Sequence, residues 1–179
     1  MRKQWLIFLL PLLIGCHSGY REAEAYLNTV TRAQSSVMNL VFNLSRQLRY
    51  LDTVSVRQQL NEARAQAATI RETVAEMPPF HGDTLLRWST LVVIDAYTEV
   101  FNHELQEMAS QVTSGALTDS TGDERIRSIR KRIVKRLMAA EKDFARQEGL
   151  FRRSFLKGKE VTDSDSTWFA PDTADRSEL

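Results

Sequence analysis

From Val30 onward, apolar residues recur at intervals of three and four through long segments of this chain. The first segment carries Val30, Ala33, Val37, Leu40, Leu44, Leu48 and Leu51, and the second Val56, Leu60, Ala63, Ala67, Ile70, Val74 and Met77. The third places Val93, Tyr97, Val100, Phe101 and Met108 on one stripe, and the fourth Ile126, Ile129, Ile133, Leu137, Ala140, Phe144, Phe151 and Phe155. A helix of 3.6 residues per turn gathers such positions onto one face, whereas a half-buried strand needs strict alternation. Four amphipathic faces have to cover one another, so the pattern predicts an all-α fold. Composition agrees: 179 residues is a one-domain length, the 42% apolar content suffices for a core, and seven Gly and four Pro are too few for many short strands.

The breaks between stripes have their own chemistry. Asp52 to Ser55 offers capping side chains for the second helix, and Pro78 and Pro79, which lack an N–H, stop it. Asp83 or Thr84 caps a third helix running to about Thr113. The polar stretch "SGALTDSTGD" from Ser114 to Asp123 is a turn, with Ser120 or Thr121 as cap for the fourth helix. Four stripes joined by short breaks predict an antiparallel up-down-up-down four-helix bundle over residues 22–157. A helix of about 28 residues spans roughly 42 Å, so the expected body is a rod. Beyond Lys157 the sequence is polar and acidic, and residues 158–179 are expected to form a flexible acidic tail.

The amino terminus reads "MRKQWLIFLLPLLIGCHSG". Arg2 and Lys3 precede an apolar run from Trp5 to Ile14, interrupted by Pro11, which is a signal-peptide pattern. Ten apolar residues make only about 15 Å of helix, half the hydrocarbon thickness of a bilayer, so cleavage is expected rather than a permanent span. The chain's one cysteine, Cys16, directly follows this run. It has no partner for an internal disulfide.

Leu13, Ile14, Gly15 and Cys16 together resemble the lipobox of bacterial lipoproteins. The resemblance implies that residues 1–15 are removed, that Cys16 carries a diacylglycerol and usually an N-acyl chain, and that residues 16–21 form a lipidated tether. Two or three acyl chains, at about 0.8 kcal/mol per buried CH₂, hold a protein at a bilayer almost irreversibly. His17 stands where enteric-type sorting rules place Asp for retention, which implies passage to the outer membrane. With "AYLNTVTRAQ" opening the first helix and "FARQEGLFRRSF" closing the last, the chain also resembles uncharacterised helical-bundle surface lipoproteins. That resemblance implies no activity, and an "LTxxQ"-type signature of periplasmic stress chaperones is absent.

Within the bundle, Asp95, Glu99 and His103 are spaced four apart, but the helical wheel turns Asp95 and Glu99 away from the apolar stripe, toward water. Neither His81 nor His103 has a Glu three residues before it, as di-iron bundles require, so no metal is expected. No Cys-x-x-Cys-His haem attachment occurs, and no nucleophile, base and orienting group form a catalytic set. An enzyme is therefore not expected, and no cofactor is assigned. Ligand sensing, or haem or small-molecule binding inside the bundle, stands as the alternative function.

Glu104 falls inside the third helix's apolar stripe and needs a partner; the expected one is Arg130, at the same height on the fourth helix. That helix is strongly basic, with thirteen Lys and Arg between Arg125 and Lys159. The wheel places Arg127, Lys131, Lys135, Lys142, Arg146 and Arg153 away from its apolar stripe, as a candidate partner-binding face. Trp88 and Leu91, with Trp168 and Phe169 in the tail, are further candidate contacts. The net charge is only +1, so attraction to a partner has to be local. The sequence predicts a non-catalytic envelope lipoprotein whose partners are the membrane through its anchor and an envelope or host protein, anionic lipid or lipopolysaccharide, with no role in binding nucleic acid.

Overall fold

A computed structural model describes residues 15–48, 52–114 and 120–157, the side chains of 15–18, 53, 120 and 121 excepted. Most of the signal segment, Leu51 and the acidic tail with Trp168 and Phe169 lie outside the described residues. The chain is all-α, with helices α1 (Gly15–Gln47), α2 (Thr53–Glu76), α3 (Leu85–Asn102), α4 (Glu104–Thr113) and α5 (Ser120–Phe155). Helix α1 extends back through residues 16–21, so the segment expected as a tether has helical backbone.

The stripes read from the sequence are the core. Val30, Val37, Leu44 and Leu48 of the first are buried, with Ala33 and Leu40 packed at its edge. In α2, Val56, Leu60, Ala63, Ala67 and Val74 are buried, the two alanines giving a neighbouring helix room for close approach. All of the fourth stripe is buried from Ile126 to Phe151, and Phe155 packs against it. Helix α3 touches α1, α2 and α5, and α5 rests chiefly on α3. So central a helix buries even its hydroxyls: Ser89 and Thr90 both donate to the carbonyl of Leu86, at 2.9 and 2.7 Å, which satisfies them without water.

Local chemistry sets the ends. Asp52 caps α2, its Oδ1 accepting from the amides of Val54 and Ser55 at 2.9 and 3.0 Å. A bond from the Ser55 hydroxyl to Oδ2 at 2.6 Å, and then those amide bonds, hold the Asp52 carboxyl below its ordinary range. After Pro78 and Pro79 the chain reverses through Phe80 and Asp83, which exchange both backbone hydrogen bonds. His81 and Gly82 between them have φ of 47° and 85°, the paired positive values of a two-residue hairpin turn. At the start of α3, Asp83 accepts from the amide of Leu85 at 2.8 Å, while Thr84 makes no side-chain cap.

The expected single helix to Thr113 is interrupted at His103, which separates α3 from α4. Arg64 of α2 donates to the carbonyl of Phe101 at 3.0 Å and to Gln106 at 3.0 Å. In an unbroken helix that carbonyl would serve the amide of Leu105, and a side chain entering the ladder is a recognised cause of a kink.

Contacts between helices give their relative directions. Tyr97, Glu104, Glu107 and Gln111 meet Glu141, Arg136, Arg132 and Arg125 in turn, so α3 and α4 run opposite to α5. Arg64 and Arg71 of α2 meet Gln106 and Asp95, so α2 also opposes the α3 to α4 segment. Tyr26 and Gln34 of α1 meet Phe151 and Glu141. At one end of the molecule Tyr26, Phe80, Phe151 and Phe155 form a ring cluster with centroids 4.9 to 5.6 Å apart.

Candidate functional site

Helix α5 presents a long basic face. At about 100° per residue, its buried positions from Ile126 to Phe151 share one side. Arg127, Lys131, Lys135, Lys142, Arg146 and Arg153 fall on the opposite side and are all exposed. Of the helix's acids, Glu124 falls on this side one turn before Arg127, while those farther along lie off the arc: Glu141 turns inward, Glu148 pairs with Arg152 at 2.6 Å, and Asp143 reaches Arg146 from the flank at 2.6 Å. Apart from Arg146, these six cations make no ion pair among the described residues. Val134 and Met138, 50% and 58% exposed, stand among the lysines. An apolar side chain so exposed at two successive turns is the signal that the wheel of charges alone did not reveal.

Glu104 is buried, as its place in the stripe requires, but its partner is Arg136 rather than Arg130. The Arg136 guanidinium bonds both carboxylate oxygens, at 2.9 and 3.2 Å from Nε. Six residues separate the two arginines, which turns Arg130 about 120° around α5 onto the flank away from α4. Side chains on a helix also lean toward its amino terminus, so Arg136 reaches down α5 to the height of Glu104. Beside this pair Arg132 bonds Glu107. The two pairs line an open groove of about 470 Å³ at the α3 to α4 break, together with His103 and Gln106.

A second polar junction was not visible in the sequence. Glu141 of α5 accepts from Tyr97 Oη at 2.6 Å and from Gln34 Nε2 at 2.9 Å, tying α5 to α3 and α1. Burial first, and then the Glu141 charge and hydrogen bond, raise the Tyr97 phenol well above its ordinary 10.0. Unfolded chains therefore ionise Tyr97 first, and the stability it contributes is full below about pH 10 and lost as pH rises beyond. Tyr97→Phe is expected to cost about 1 kcal/mol at neutral pH and to flatten the alkaline loss of stability. Urea midpoints of both proteins between about pH 8 and about pH 11 check this; parallel profiles would remove Tyr97 as the cause.

The remaining candidates separate. Asp95 bonds Arg71 at 2.6 Å, and Glu99 bonds His103 at 2.9 Å, each pair at the surface. Among the described residues no three His, Cys, Asp or Glu side chains converge. His81 meets the Phe80 ring edge-on before the start of α3 while His103 lies past its end, about 27 Å of helix apart. Trp88 is exposed, but Leu91 is half-buried against the core, and the exposed companions of Trp88 on α3 are Leu85 and Val92.

No family model, curated protein or solved structure matches this chain. The functional argument therefore rests on the residues. Cys16 lies in the helical backbone of α1, ahead of the core's first buried residue, Ala23. None of the described helices is long and apolar enough to cross a membrane.

Proposed function

We propose that this chain is a lipid-anchored bacterial envelope protein, sorted to the outer membrane, whose body is a non-catalytic helical interaction or scaffold domain. The single observation that supports the interaction role is the exposed, nearly unpaired cation arc on α5, set opposite that helix's core face. An arc of that kind does nothing for packing, and it supplies long-range attraction for an anionic partner. The directions of the helix contacts favour an antiparallel up-down-up-down bundle, with α3 and α4 counted as one bent helix. The lipobox pattern at residues 13–16 supports the anchor at Cys16, and the apolar run before it supports cleavage.

The intact mass of membrane-extracted protein tests the anchor. The expected mass is that of a chain starting at Cys16 plus two or three acyl chains, and Cys16→Ser is expected to abolish both the modification and membrane retention. An unmodified mass in a soluble fraction would overturn the lipoprotein reading and leave the helical domain without its address.

A further inference from the structure

We infer that the outward face of α5 binds an anionic lipid surface, with Lys131, Val134, Lys135, Met138, Lys142 and Arg146 at its centre. The shape of the face argues for a flat partner. From Arg127 to Arg153 it runs about 39 Å along one helix, and a convex line of that length matches an extended sheet of headgroups. Its charge is local. The whole chain carries only +1, yet from Arg127 to Arg153 lysine and arginine follow one another along this arc with acids only on the flanks, Glu124 lying a turn before its start.

The apolar pair decides between partners. Val134 and Met138 are one turn apart and at least half exposed, with Lys131, Lys135 and Lys142 around them. On a bilayer the lysine stems extend toward the phosphates while the apolar tips sit at the acyl boundary, so both chemistries are satisfied at once. Three of the four central cations are lysines, compact charges with no fork geometry to match. A fluid array of phosphates asks for charge without fixed geometry, whereas an acidic protein or a nucleic acid would leave Val134 and Met138 without a partner. This inference deepens the interaction role proposed above and does not use Cys16, so the two fail separately.

The test uses the chain from His17 to Leu179, which keeps every buried residue of the described core. It is floated with vesicles of phosphatidylcholine alone, or with about one-third phosphatidylglycerol to supply the negative surface potential. Binding is expected on the anionic vesicles and to be weak on the neutral ones. Each lysine at the surface contributes roughly fivefold, so K131E/K135E/K142E, which also adds repulsion, is expected to bind at least about a hundredfold more weakly. R21E/R32E/R57E, which makes the same charge change at exposed sites on α1 and α2, is expected to stay within about threefold. V134S/M138S is expected to lose about tenfold without any change of charge, and circular dichroism should show unchanged helix in all variants.

Four results would overturn the inference. The folded parent fails to bind anionic vesicles, or both charge-reversal variants lose binding equally. Vesicles bind only after residues 158–179 are removed, which would make the acidic tail the occupant of the face. Soluble polyglutamate binds as tightly as vesicles with V134S/M138S unaffected, which would assign the face to an acidic protein.

Discussion

Phe151→Ala is expected to destabilise the protein by about 3–5 kcal/mol, the usual cost of emptying a buried phenylalanine site. Phe151 is 2% exposed, and its ring lies 5.6 Å from Tyr26, 5.3 Å from Phe80 and 4.9 Å from Phe155. Those three rings come from α1, from the turn before α3 and from the end of α5, so one truncation removes contacts that join three parts of the chain. The void also has little to collapse into it, because its neighbours are rigid rings. For a domain of this size the melting temperature should fall by roughly 10 °C. Phe155→Ala, at the half-buried edge of the cluster, should cost less than half as much. A loss below about 1 kcal/mol for Phe151→Ala in urea unfolding would show that the ring cluster does not close that end of the molecule.

Arg136→Leu is expected to cost about 2–4 kcal/mol, whereas Glu104→Leu should change stability by less than about 1 kcal/mol in either direction. The asymmetry comes from where the two charges sit. The Glu104 side chain is 5% exposed and that of Arg136 39%. Removing the arginine leaves a carboxylate in the core without its cation. Removing the glutamate frees a guanidinium that already reaches solvent, and leucine suits the stripe beside Leu105 and Met108. The double variant should resemble Glu104→Leu alone. Equal losses in both single variants, measured by urea midpoint, would mean that the pair contributes net attraction rather than relieving a buried charge. Arg130→Leu serves as the comparison: Arg130 is exposed on the flank away from α4, and its replacement should be nearly silent.

The core was legible because burial on a helix is periodic. Val56, Leu60, Ala63, Ala67 and Val74 can only share a face if the segment is helical, and helical they are. The cap at Asp52 was equally legible, since an aspartate two or three residues before free amides has one favourable conformation. The exposed basic face of α5 followed from the same periodicity. The partner of Glu104 did not, because a few residues of register, and the rotation that goes with them, depend on how α5 packs against α3 and α4. Glu141 was missed for a related reason: an acid beside a core stripe looks solvated until Gln34 and Tyr97, 107 and 44 residues away in sequence, arrive against it.

The break at His103 belongs to the same class. Nothing within residues 99–107 forbids a continuous helix; the interruption accompanies a guanidinium from α2. What the sequence by itself determined was local: which segments are helical, the cap at Asp52, the stop at the two prolines, the buried stripes and the charged face opposite the last of them. Those follow from repeat spacing and from side chains acting within a turn or two of themselves. Only the tertiary structure decided that α3 sits among α1, α2 and α5, that Arg136 reaches Glu104, and that Glu141 joins three helices. Such contacts depend on the rotation and height of one helix against another, and these are set by packing summed over the whole core rather than by any single residue.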